Sequence, residues 1–424
     1  MRGGIRIGNI LGIPLYIDSS WFLILGFLAV WLSAAFNRLS PDFALGYGII
    51  TALLFFLSIA LGRIAHALTA KAQGLAISSI NIQFMGNGNG ANSQIEKEGR
   101  TPFSVFSIAI SSPLTNLGLS VIGFIAAWLL AGDTVFTYNP KLQETLPAII
   151  GSSRTAWTII TLNFARVNLI FFVFSLIPAL PFEGGHILKA LVWKITGDRF
   201  KGIRWAARSG QIFGGLLMVL AILVFLRDIL GGMLLMFFGW LLLGNAGGYL
   251  YFNNLQQILL DIDAESAMTR DFRVVDGEMS LRNFADKFLL MEEKDAHPIY
   301  VASTNGRDRG IVLSDSIRNI DSQSWQTQTL ESITTPFDEI DTVEQKTKLF
   351  AVINLLEQKQ LRHVIVRSAV GSVAGVIDHG DIIKALDLRL QWRIPSEYIK
   401  QIKNEGKFPI NFRLSEICQQ LEDH

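Results

Sequence analysis

The sequence predicts a helical membrane domain of about six spans joined to a soluble α+β domain. Half of the 424 residues are hydrophobic and mean hydropathy is +0.37, more apolar character than one soluble core requires. The long apolar runs lie almost wholly in residues 1–250, whereas 255–424 alternates charge with short apolar segments. That second part also repeats itself. A short extended entry, a helix, two strands around a Gly turn and a closing helix recur about 65 residues apart.

Charge and cysteine usage narrow the function classes. With 37 Lys+Arg against 36 Asp+Glu, the net charge of +1 argues against a nucleic-acid-binding surface. The one cysteine, Cys418, excludes a disulfide framework and any cysteine-based zinc site. The opening MRGGIRIGNILGIPLYIDSS lacks the apolar core and cleavage site of a signal peptide, and no transit peptide is legible. A prokaryotic membrane is the expected location.

In chain order, residues 4–18 alternate and read as a short β-ribbon leading into the membrane. Span one is expected over Ser20–Phe36, with Trp21 at an interface. Span two covers about Ala44–Ala70. Residues 75–100 hold the strand-like ISSINIQF and then GNGNGAN, whose Gly/Asn run by itself reads as a plain loop. Span three covers about Phe103–Leu130, a polar external loop Ala131–Arg154, and span four Thr161–Leu180. Spans five and six follow at Gln211–Leu226 and Leu230–Tyr251. The loop between spans four and five holds Lys189, Lys194, Arg199, Lys201, Arg204 and Arg208, and that between spans two and three holds Lys71, Lys97 and Arg100. Opposite loops are poorer in Lys and Arg, so the positive-inside rule puts both termini in the cytoplasm.

Span two carries the most informative residues. In LLFFLSIALGRIAHALTAKAQG (53–74), Gly62, Arg63 and His66 share one helical face, and ionisable groups inside an apolar span call for a functional reading. In spacing and flanks this helix resembles the zinc-binding helix of the site-2 protease family of intramembrane metalloproteases, which has His-Glu-x-x-His there. His66, Ala67, Leu68, Lys71 and Gly74 match that pattern. Gly62 stands at the first zinc ligand and Arg63 at the catalytic glutamate. Ser112-Pro113-x-x-Asn116 resembles the family's Gly-Pro-x-x-Asn, with Asn116 expected as a hydrogen bonder in helix packing. IPALPFEGGH (177–186) resembles its Pro-x-x-Pro-x-Asp-Gly-Gly-Arg stretch: Pro178, Pro181, Gly184 and Gly185 match. Ser175 replaces an asparagine upstream, Glu183 the aspartate ligand and His186 the arginine.

A zinc site of this class needs three protein ligands, an open position for water and a carboxylate base. His66 is the unchanged ligand, with Glu183 and His186 as residual candidates. Glutamate reaches one bond, about 1.5 Å, further than aspartate, while metal distances tolerate only about 0.2 Å of error. Arg63 would add a fixed cation beside the metal. The expectation is therefore no catalytic residue and no zinc in the membrane domain. Arg63 instead pairs with Glu183 near His66, or snorkels to the cytoplasm. What the resemblance leaves is a groove at Asn116, Pro178, Pro181, Gly184 and Gly185.

Residues 255–322 and 323–390 resemble a pair of cystathionine-β-synthase (CBS) modules, after a membrane domain over 1–253 and before a tail, 391–424, expected to be of low order. CBS relatives that bind adenine nucleotides carry Thr/Ser-x-x-Asp at the start of the closing helix. The second module has Asp378 and Asp381 at those positions, while the first has Ser316 at the aspartate's place. The resemblance implies a pseudoprotease that binds a single-span membrane protein or an active protease partner in the bilayer, with a CBS pair that takes adenine nucleotide or serves as a homodimer platform. The rivals are an active metalloprotease of regulated intramembrane proteolysis with altered ligands, and a CBS-gated transporter or channel. Against the channel, no acidic relay or inverted repeat is legible in the spans.

Overall fold

The computed structural model describes residues 4–34, 36–37, 41–75, 77, 79–82, 101–135, 152–289, 299–312, 317, 320–409, 414, 417–418 and 421. The GNGNGAN run and residues 313–316 of the first CBS module lie outside these. Contacts divide the chain into Met1–Asn253 and Asn254–His424.

The membrane unit begins with the expected ribbon. β1 (Gly4–Ile10) and β2 (Ile13–Asp18) pair antiparallel around Leu11 and Gly12, both at positive φ. β3 (Ile80–Ile82) joins β2 in parallel, with Leu15 opposite Ile80 and Ile17 opposite Ile82. Ile13 and Ile80 pack on Ala67, which seats the sheet against the end of span two, one residue past His66.

The first helix is shorter than the expected span. α1 (Ser20–Ser33) has 14 residues. At 1.5 Å per residue it measures about 21 Å, short of a hydrocarbon core of about 30 Å. Among the described residues five helices, not six, are long and apolar enough to cross. They are α2 (Ala44–Ala72), α3 (Pro102–Ala131), α4 (Ser152–Ser175), and, after the shorter α5 (Glu183–Thr196), α6 (Arg199–Phe225) and α7 (Ile229–Asp261).

Local chemistry explains several boundaries. Thr101 caps α3 by accepting from the Ser104 N–H at 3.1 Å, with Pro102 at the first helical position. α3 then continues through the buried Pro113. Asp198 accepts from the N–H groups of Phe200 and Lys201, so α6 starts twelve residues before the expected span, and Lys201, Arg204 and Arg208 lie on a helix rather than in a loop. α4 likewise begins at Ser152 and stops at Ser175, before the proline-rich turn. α3 packs on α2, α4 and α5, and α5 on α6.

The soluble unit, after the short α8 (Ala264–Ala267), shows the expected repeat of strand, helix and hairpin, with the first closing helix lying outside the described residues. In its first half β4 (Phe272–Asp276) lies parallel to β5 (Ile299–Thr304), which forms a hairpin with β6 (Arg307–Val312), and β7 (Thr335–Pro336) closes that sheet. α9 (Leu281–Phe284) follows β4 and covers it, Phe284 meeting Tyr300 edge-on at 4.8 Å. In the second half β8 (Thr342–Glu344) lies parallel to β9 (His363–Arg367), which forms a hairpin with β10 (Val373–Asp378). α10 (Leu349–Gln358) and α11 (His379–Leu390) complete it. Val301 and Ile311 from one sheet meet Phe337 and Ile365, giving the two halves a common core. The soluble unit is thus a CBS-like α+β pair.

The tail departs from expectation. α12 (Ser396–Glu405) packs on α11, and Leu414, Ile417, Cys418 and Leu421 are buried. Those four stand at i, i+3, i+4 and i+7, a helical stripe that pays for its own ordering by covering α10, where Asn354 donates to the Cys418 carbonyl at 3.3 Å.

Candidate functional site

α2 aligns Ser58, Gly62 and His66 four residues apart, hence on one face. Gly62 is buried against α3: a Cβ there would stand 2.9 Å from Ser112 Oγ and 3.9 Å from Asn116 Oδ1. The two helices approach so closely that the position of the family's first ligand is filled by the neighbouring serine. Ser58 Oγ donates to the Leu54 carbonyl and accepts from Asn168 Nδ2 at 3.0 Å, tying α2 to α4. Ser120 Oγ donates to the Ala165 carbonyl at 2.9 Å, tying α3 to α4. A polar seam thus runs through the helix core, where small residues and buried side-chain hydrogen bonds hold membrane helices together.

Asn168, fully buried, makes the interhelical bond expected of Asn116. Asn116 is also buried, yet its Oδ1 meets no hydrogen-bond partner among the described residues. Sequence spacing did not single out Asn168, because its partner Ser58 is 110 residues away. An asparagine in an apolar helix was the available signal.

His66 is half-buried and its Nδ1 is shut off from solvent without a hydrogen-bond partner among the described residues. The charges of Arg63 and His186 act on it. Glu183 also lies in the field of Arg63, so the fold does bring Arg63, His66, Glu183 and His186 into one neighbourhood. It does not make the expected ion pair as a direct contact: among the described residues no Arg63–Glu183 approach falls within 4.0 Å. The physical reason is the position of Glu183 as first residue of α5. Its carboxylate takes a bond from its own backbone N–H, and the free amides and positive end of that helix offer it local stabilisation. Arg63 is exposed, as a snorkelling side chain would be.

The groove residues expected at the α5 start form a tight turn. A Cβ on Gly184 would meet the carbonyl oxygens of Leu176 and Ile177 at 2.3 Å, and one on Gly185 would meet Leu180 N at 2.4 Å. Ser209 Oγ of α6 donates to the Pro178 carbonyl, and Leu180 N–H donates to the Ala206 carbonyl at 3.3 Å. Pro178 and Pro181 therefore sit in a turn clamped between α5 and α6.

The donor set does not fit a zinc ion. Among the described residues no three His, Cys, Asp or Glu side chains stand close enough to share a metal. Gly62 offers no donor atom, and Arg63 puts a permanent cation where a base would be needed.

A second polar cluster lies at the start of α11. Asp378 is the helix N-cap and Asp381 its third residue, each side chain bonding the other's backbone N–H at 2.9 and 3.2 Å. Thr269 Oγ1 donates to Asp381 at 3.3 Å, and Lys403 from α12 reaches Asp378 at 3.2 Å and Asp271 at 3.1 Å. Burial and then the adjacent Asp378 charge push the Asp381 carboxyl up to about 6, with Lys403 opposing. Burial works against the Lys403 ammonium, but Asp378, Asp381 and Asp271 outweigh it and raise that group to about 12.

Comparison with known proteins separates the two units. Residues 50–221 match the signature of Peptidase family M50. A Synechocystis protein with a zinc-metalloprotease name, sll0528, is 31% identical over 390 residues, 91% of this chain and 96% of that one. Rip3 of Mycobacterium tuberculosis, also named as a zinc metalloprotease, is 25% identical over 92% of this chain and 94% of its own. Among solved structures, the site-2 protease from Methanocaldococcus jannaschii is 18% identical, with 58% of this chain and 95% of that one covered at a TM-score of 0.34. CBSX2 in complex with AMP is 21% identical, with 30% and 98% covered at a TM-score of 0.25. The near full-length identity to sll0528, on the order of motifs already described, shows that this chain belongs to peptidase family M50, the site-2 proteases.

Proposed function

We propose that this chain is a non-catalytic member of its family, a pseudoprotease that holds a transmembrane client or a working protease partner without cutting it. The observation that carries this reading is Gly62 with Arg63. One position has no donor and is packed against Ser112, and the other replaces a general base with a group that stays charged. The polar seam and the clamped turn at Gly184 and Gly185 keep the helices assembled without a metal to join them. Both termini are cytoplasmic in this reading, which counts the short apolar α1 as a sixth crossing beside the five long helices and is supported by the basic residues of α5 and α6.

The CBS-like pair is the regulatory half. Asp378 and Asp381 at the head of α11 support adenine nucleotide as its ligand, by analogy with CBSX2 solved with AMP. The same pair supplies a surface for homodimerisation.

The test is direct. The purified full chain is expected to contain no stoichiometric zinc and to leave a single-span reporter intact in the same membrane. Reporter cleavage that a chelator abolishes would overturn the reading in favour of an active metalloprotease. One observation speaks for that second reading: the unpartnered Nδ1 of His66 marks a histidine not held by ordinary hydrogen bonds.

A further inference from the structure

Arg166 stands inside α4, fourteen residues after Ser152 and nine before Ser175. At 1.5 Å per residue it is about 13 Å from the helix end, and with α4 centred on a hydrocarbon core of about 30 Å it lies about 10 Å inside it. A stretched arginine side chain covers about 6 Å, so snorkelling alone does not bring it to water. Its side chain is nevertheless exposed, and among the described residues it has no hydrogen-bond, ion-pair or aromatic partner.

The surroundings are those of a contact face. At i+3, i+4, i+7 and i+8 from Arg166 stand Leu169, Ile170, Val173 and Phe174, exposed by 38, 50, 57 and 58%. On the other side of Arg166 the same stripe is covered, since Ile159 and Leu162 are buried against Phe36 and Ala127. An apolar strip therefore starts at the arginine and runs to the end of α4. Among the described residues no carboxylate is available to it at that depth. The described membrane helices carry Glu183 at the start of α5 and Asp261 at the end of α7, and no other Asp or Glu. A second copy of the chain would offer the same lack.

We propose that this strip is a docking surface for a transmembrane helix of another protein that carries one Asp or Glu in mid-membrane. Arg166 pairs with that carboxylate, two donors to two oxygens, and Leu169, Ile170, Val173 and Phe174 cover the apolar side of the incoming helix. The proposal rests on the reading that the chain binds transmembrane clients, and adds where they dock and what marks them. The pairing removes two costs at once, since a lone charge of either sign near mid-membrane is unfavourable.

The test uses the full chain in phosphatidylcholine vesicles with a labelled host helix of about 20 leucine and alanine residues, carrying either Glu or Leu at its centre. Energy transfer is expected to show the Glu probe binding at least about tenfold more tightly, equivalent to about 1.4 kcal/mol. Arg166→Leu is expected to abolish that preference, Arg166→Lys to keep part of it, and Arg63→Gln to leave it unchanged. Equal binding of the two probes, or a preference that survives Arg166→Leu, would overturn the proposal. So would a preference that vanishes in Arg63→Gln instead. Intactness of the probe on a gel reads the non-catalytic assignment separately: cleavage would sink that assignment and leave the docking preference standing.

Discussion

In the soluble unit Lys403 touches both Asp271 and Asp378 at hydrogen-bonding distance, whereas in the membrane unit Arg63 and Glu183 share a neighbourhood without touching. The two regions hold the same kinds of charge in different ways. At the head of α11 three carboxylates, an ammonium and a threonine hydroxyl satisfy one another. In the helix core the work falls to Ser58, Asn168 and Ser120, neutral groups that bond backbone and each other. In hydrocarbon, misplacing a charge costs more than misplacing an amide. A membrane core therefore stays together best on small residues and amides. The soluble unit, with water at hand, can afford a dense ionic cluster.

The contrast is most easily broken at the clamped turn. Gly185→Val would drive a side chain into the backbone of Leu180 and Ala179, and is expected to cost about 3 kcal/mol or more. Thermal unfolding of the full chain in detergent reads this; a shift within about 0.5 kcal/mol of zero would mean that the turn yields freely.

Next in size is Asp381→Asn. The Asp381 carboxyl ordinarily titrates at 3.8 and here at about 6, so across that window the native state holds a proton that the unfolded chain has released. Stability from this group is full below the lower value and falls as pH rises through the upper one. The amide, which can still accept from Asp378 N–H and Thr269, is expected to stabilise by about 1–3 kcal/mol at pH 7 and to flatten the slope between the two values. Unfolding of variant and parent at a series of pH values decides it. A destabilised variant at pH 7 would show that the carboxylate is needed charged.

Smaller is Asn168→Leu, which leaves Ser58 with its own-helix bond alone. A loss of about 0.6–1.7 kcal/mol is expected. Hydrogen exchange of α2 and α4 amides should quicken together; exchange confined to α4 would show that the seam does not couple them.

The smallest effect separates the units most finely. The double-mutant cycle of Arg63→Gln with Glu183→Gln is expected to give a coupling of about 1 kcal/mol or less, as for charges that interact without contact. A coupling of several kcal/mol would restore the direct ion pair that the sequence suggested.

Much of this protein was legible before any coordinates. Apolar run length alone located α2 and α3 to within a few residues, because backbone polar groups in lipid must be satisfied within the helix. The Gly62–Arg63–His66 register was legible because helical geometry puts residues three and four apart on one face, whereas Asp378 and Asp381 stood out only through the resemblance to CBS modules. The repeated strand and helix order of the soluble unit followed from periodicity.

Other features waited on tertiary structure. α1 read as a span, but Phe36 lies beyond its end and packs on α4, leaving 14 helical residues. That choice depends on a packing partner more than 100 residues away in the chain. The Asn168–Ser58 bond, the closeness of Gly62 to Ser112 and the turn of Glu183 into its own helix end are likewise decided by how helices meet, to within an ångström. Hydrophobic pattern specifies which face is buried and not how closely it is approached, and whether two charges touch or merely sense each other is set by that approach.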